Sequence, residues 1–93
     1  MKVKPEFATK GFYVIDHTPT GKVYTGISTN MQEEIHELFY GLKQGTCTCK
    51  RLVRLHLAES SFTVKCHPVK SIVDARKMEK VFRNEKPKFL LIN

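Results

Sequence analysis

Glu79 occupies a place where a carboxylate is hard to keep. Residues 72–83, wound at about 100° per residue, put Ile72, Ala75, Met78 and Phe82 on one arc, and Glu79 falls inside it while Lys77 and Lys80 point away. A carboxylate at the edge of an apolar face is costly unless it is paired or bound to a cation. Arg76 and Arg83 stand one turn away on either side, so a salt bridge is one solution. The other is a metal ligand serving phosphodiester chemistry. A second chemical feature is a pair of tyrosines. Tyr13 ends Gly11-Phe12-Tyr13 and Tyr24 begins Tyr24-Thr25-Gly26, eleven residues further on. Both lie in β-rich segments with matching alternation, so both rings can reach a common surface. Ordinary packing within a sheet, with satisfied hydroxyls, is the alternative. Cys47, Cys49, Cys66 and His67 make a third set of potential ligands. Their Cys-x-Cys and Cys-His spacings depart from those of common zinc sites, which favours free or buried thiols.

These side chains need a scaffold, and the hydrophobic pattern predicts one. Residues 11–17 and 22–28 alternate as two strands, and His17-Thr18-Pro19-Thr20-Gly21 supplies proline and glycine for the reversal. Phe12 and Val14 share a face with Asp16, and Tyr13 and Ile15 take the other; Val23 and Ile27 oppose Tyr24. A helix is predicted from Asn30, which with Glu33 reads as a cap and its acidic partner. Met31, Ile35, Leu38, Phe39 and Leu42 form its apolar stripe, and Gly45 ends it. Residues 47–58 are predicted as a shorter helix, 60–66 as a strand closed by Pro68, and 70–84 as a last helix broken at Lys86-Pro87. The apolar tail Phe89-Leu90-Leu91-Ile92 is expected to pack back. The order β-β-α-α-β-α describes an α+β domain with a small antiparallel sheet.

Ninety-three residues suffice for one domain, 1–93 with its core from about residue 10. No apolar run approaches the ~20 residues of a membrane span. Met1 to Glu6 lacks the apolar core of a signal peptide, so an intracellular protein is expected. Three cysteines without a secretory signal argue against a disulfide framework. Sixteen basic residues against nine acidic ones give a net charge of +7, which favours an anionic partner, nucleic acid ahead of acidic membrane. Lys22, Lys43, Lys50, Arg51 and Arg54 are the candidate nucleic-acid contacts, with a solvated basic face as the alternative for the two arginines. Glu33, Glu34 and Glu37 cluster on the first helix and suit a basic protein partner better than DNA.

The two tripeptides, in this order and spacing, resemble the opening motifs of the GIY-YIG nuclease family. Phe12 replaces Ile in the first and Thr25 holds the middle of the second. Gly21-Lys22-Val23-Tyr24, Thr29-Asn30, and Asp74 to Glu79 followed by Lys86-Pro87-Lys88 extend the resemblance over roughly residues 10 to 93. It implies a three-stranded antiparallel sheet with flanking helices, and cleavage of DNA with a divalent ion, Mg2+ or Mn2+. It also implies that Tyr13, Tyr24 and Glu79 are catalytic: the tyrosines beside the scissile phosphate, one helping to activate water as a phenolate of lowered pKa, and Glu79 as the metal ligand. Members of this family occur in phages, other mobile elements and repair systems. The sequence departs from the pattern at the catalytic arginine, ten residues after the second tyrosine, where Glu34 stands. Arg51 or Arg54 could substitute from the second helix, and Glu34 could serve as an additional metal ligand. The family's late asparagine falls on Leu90 in one register and on Asn93 in another. Two functions follow: an endonuclease with altered or weak catalysis, or an inactive scaffold that binds nucleic acid or protein.

Overall fold

The computed structural model describes residues 9–93, so the reading of Met1 to Glu6 lies outside the described residues. The central strand, β1 (Gly11–His17), is hydrogen-bonded on both sides, to β2 (Lys22–Ser28) and to β3 (Phe62–Pro68), giving an antiparallel sheet of order β2-β1-β3. A strand paired on both edges and covered on both faces must be apolar throughout, and Phe12, Tyr13, Val14 and Ile15 are all buried. Helix α1 (Met31–Gln44) covers one face through Met31 and Ile35, packed on Tyr13 and Ile15. Helix α3 (Ile72–Glu85) covers the other through Ala75 and Phe82, against Phe12, Val14 and Val23. Between them in sequence, α2 (Lys50–Ala58) buries Leu52 against Leu42 and Ile92.

The local signals act where chemistry places them. Asn30 caps α1, its side chain accepting from the Glu33 N–H at 3.1 Å. Gly45 closes the helix at φ 77, the left-handed conformation that glycine reaches without strain. In the hairpin, Gly21 has φ 72 and its N–H returns to the His17 carbonyl at 2.8 Å.

Several boundaries differ from the sequence expectation; helix α3, expected over 70–84, runs Ile72–Glu85 because the Ser71 side chain caps it by accepting from the Val73 N–H at 3.2 Å. Helix α2 starts at Lys50, not at 47, because the Thr46 and Cys47 N–H groups both bond the Gly41 carbonyl and prolong the exit from α1. Strand β3 runs 62–68 instead of 60–66: the Ser61 carbonyl is taken by Thr18, while His67 and Pro68 remain paired with Phe12 and Gly11. The tail packs only in part. Leu91 forms a parallel bridge to Val23 and Ile92 is buried, but Phe89, on the 3-10 turn Lys88–Leu90, is 75% exposed. Met78, expected on the apolar arc of α3, is also largely at the surface.

His17 ties the hairpin to α2. It is buried, with Nε2 at 2.7 Å from the Glu59 carbonyl and Nδ1 at 2.8 Å from the Thr20 hydroxyl. Donating from Nε2 leaves Nδ1 to accept from Thr20, the arrangement that satisfies both bonds with a neutral ring.

Candidate active site

Tyr13 lies directly opposite Gly26 across the β1–β2 ladder, and Tyr24 lies opposite Ile15. The alternation thus puts both rings on the α1 face, as the two tripeptides imply. Two glycines make this possible. A Cβ on Gly26 would run into the Tyr13 ring, and one on Gly11 would meet the His67 carbonyl and the Met31 side chain. The glycines of both motifs are therefore demanded by close approach, whereas neither has positive φ.

The two tyrosines open into a cleft of about 490 Å³, lined also by Gly26, Glu34, Glu37 and Cys47. Among the described residues no Lys or Arg lines it. Glu34, one turn into α1, stands beside Tyr13 and acts on its hydroxyl. Burial pushes the Tyr13 phenol well above its ordinary 10.0, and Glu34, Tyr24 and Glu79 push it further by hydrogen bonding and charge. Tyr24 is raised in the same sense, first by burial, then by the thiols of Cys49 and Cys47 and the carboxylates of Glu34 and Glu79. Both phenols are therefore neutral hydrogen-bond donors at pH 7 in these surroundings. The lowered pKa of a phenolate, which the resemblance implies, is opposite to what this environment produces.

Glu79 comes from the helix on the far face of the sheet, yet it is close enough to act electrostatically on both tyrosines. Among the described residues it forms no hydrogen bond or ion pair. Arg83 does not pair with it. That guanidinium bonds the Thr25 hydroxyl at 3.0 Å and both the side chain and the carbonyl of Asn93. Asn93 in turn accepts from the Thr25 N–H at 3.1 Å and donates to the Thr25 carbonyl at 2.6 Å. Of the two registers open for the late asparagine, Asn93 is the one joined to the tyrosine-bearing strand.

A half-buried carboxylate with no protein partner fits a hard divalent cation such as Mg2+. That ion is held by one or two carboxylates and keeps several waters. A zinc centre does not fit: among the described residues no group of three His, Cys, Asp or Glu side chains converges. Cys66 faces α1 while the adjacent His67 stacks on Phe12 on the opposite face, and the three cysteines are free thiols.

The basic residues divide between other surfaces. Lys22, Arg51 and Arg54 line a groove of their own and not the tyrosine cleft, so the arginines of α2 do not replace the missing one. Lys43 lines a third depression, with His36, Phe39 and Tyr40. Lys50 opens α2 and lines neither the cleft nor that groove. The sequence reading missed Cys47 and Thr46 as cleft walls; the helix-ending Gly45 just before them was the available signal.

No protein-family model matches the chain, and no curated protein matches it. Solved structures do. The catalytic domain of intron endonuclease I-TevI, as its E75A mutant, superposes with a TM-score of 0.71 over 90% of this chain and 91% of that one, at 19% identity. The fold is GIY-YIG-like. A second structure of the catalytic domain of homing endonuclease I-TevI gives a TM-score of 0.69 at 21% identity, covering 83% of this chain and 87% of its own. At these identities the likeness is one of fold, and chemistry must be argued from the cleft itself. Among the described residues no helix is long and apolar enough to cross a membrane.

Proposed function

We propose that the chain is a metal-dependent DNA endonuclease whose cleft has exchanged its phosphate-facing arginine for a proton acceptor. The observation that carries this reading is the cleft shared by Tyr13 and Tyr24, with the unpaired Glu79 outside its lining but within electrostatic reach of both rings, on a fold shared with catalytic domains of an endonuclease. Glu79 would hold Mg2+ or Mn2+, which when bound supplies the positive charge that polarises a phosphate and stabilises a leaving oxygen. Tyr13 and Tyr24, as neutral phenols, donate hydrogen bonds to groups entering the cleft. Glu34 is within reach of the proton that Tyr13 carries, so it can accept a proton as water attacks phosphorus and the ester P–O bond breaks. An intracellular location agrees with a DNA substrate.

A second reading has its own observation. Glu34 and Glu37 make the cleft acidic, and no described cation offsets them there. That is the electrostatics of a scaffold that binds nucleic acid elsewhere, or a basic protein across Glu33, Glu34 and Glu37, without cutting. Incubation with supercoiled plasmid and Mg2+ or Mn2+ separates the two. Metal-dependent nicking that is lost in Glu79→Ala supports the nuclease. Salt-sensitive plasmid retention without nicking, by protein shown to be folded, supports the scaffold.

A further inference from the structure

The groove beside α2 differs from the cleft in every respect that matters to an anion. Lys22 from β2, Arg51 and Arg54 from α2, and Lys88 from the C-terminal turn line about 370 Å³. Among the described residues no Asp or Glu lines it, and its walls are completed by Leu55, Leu91 and Ile92. At its rim stands Phe89, 75% exposed although Ile92, three residues on, is buried.

The ring is carried by a fixed platform. Pro87 and Lys88 accept the bonds that close the 3-10 turn, at 3.0 and 3.1 Å, and the Ile92 N–H then binds the Val23 carbonyl at 2.7 Å. Leu91 pairs with Val23 in parallel, and Asn93 clamps Thr25. An exposed aromatic ring on an anchored backbone, next to four converging cations, has the two components by which proteins hold single strands: cations along the phosphates and a ring on which a base stacks.

We propose that this groove binds a single strand of nucleic acid, with phosphates on Lys22, Arg51, Arg54 and Lys88 and an unpaired base stacked on Phe89. The site rests on the nucleic-acid reading above, but not on cleavage. It gives a small domain a hold on a frayed or displaced strand that is separate from the cleft where chemistry would occur. Duplex DNA, with its bases already stacked, uses the cations but not the ring.

The chain contains no tryptophan, which supplies the direct test. In Phe89→Trp the single indole reports stacking, and titration with oligo(dT) in EDTA should quench its emission, with much weaker quenching by a matched duplex. By fluorescence anisotropy with a labelled oligo(dT), Phe89→Ala should weaken single-strand binding about ten-fold while leaving the salt dependence unchanged. Arg51→Gln with Arg54→Gln should weaken both single- and double-strand binding and reduce the salt slope by about 1.4 on single strands. Unchanged single-strand affinity in both variants, or an indole that oligo(dT) does not quench, overturns the proposal. Equal weakening of single strand and duplex by Phe89→Ala overturns base stacking. EDTA keeps these outcomes independent of cleavage: loss of nicking with binding intact removes the nuclease and keeps the groove, and the converse removes the groove alone.

Discussion

The tyrosine cleft and the cationic groove both touch β2, and they have opposite character. The cleft is walled by Glu34 and Glu37 and contains two phenols whose ionisation is suppressed. The groove gathers four cations around apolar walls. Coulomb attraction favours an anion at the second and not at the first, which suits a phosphate only with a cation to offset its carboxylates. The contrast shows that net charge locates a partner poorly. The +7 of the chain describes neither region, and the side chains with the family-like spacing lie in the acidic one.

The largest effect that would sharpen the comparison is a charge reversal in the cleft. Glu34→Arg should lower metal-dependent nicking about 10²-fold, since a guanidinium cannot accept the proton that Glu34 takes up. Binding of oligo(dT) in EDTA should hardly change. A rate that rises in Glu34→Arg would instead show that the cleft needs a donor for the developing anion more than a proton acceptor. Gly26→Ala breaks the cleft by packing. The new methyl collides with the Tyr13 ring, and urea denaturation should show a loss of about 1–3 kcal/mol. Asn93→Ala acts on the other region. It releases the Thr25 N–H and carbonyl, should lower stability by about 1–2 kcal/mol, and should weaken single-strand binding by loosening the platform of Phe89.

The smallest effect is on pH. Tyr13 and Tyr24 have folded pKa values above the ordinary 10.0, so the folded state holds their protons more tightly than the unfolded chain. Their contribution is fully present below pH 10 and declines as pH rises through the unfolded value toward the folded one. Stability should therefore fall with pH above about 10, and this slope should shrink in Tyr13→Phe. Absorbance at 295 nm checks the same point, because phenolate from these two residues should appear later than from the unfolded chain.

The fold was legible because its signals are local and agree with one another. Alternation in residues 11–17 and 22–28, the Asn30 cap and the Gly45 stop each rest on one kind of interaction within a few residues. Boundaries slipped at α2, β3 and α3: the Gly41 carbonyl delays α2, the distant Thr18 takes the Ser61 carbonyl ahead of β3, and Ser71 caps α3 two residues later than expected. The site was legible in its members and not in its surroundings. The spacing of Tyr13 and Tyr24 placed both rings on one face, but it could not show that Arg83 turns to Thr25 and Asn93 and leaves Glu79 without a partner. Phe89 was misread for a similar reason. An apolar run looks uniformly buried in sequence, whereas the 3-10 turn sends one ring outward.

The central claim is that the cleft performs metal-dependent phosphodiester cleavage through Glu79. Its most direct test is the initial rate of plasmid nicking across a Mg2+ titration, for the wild-type chain and for Glu79→Ala. The account predicts saturable nicking by the wild type and a rate lower by at least about 10²-fold in the variant, both proteins having the same circular dichroism and the same affinity for oligo(dT) in EDTA. Equal trace rates in the two proteins, or no nicking at any metal concentration by folded wild type, would contradict it.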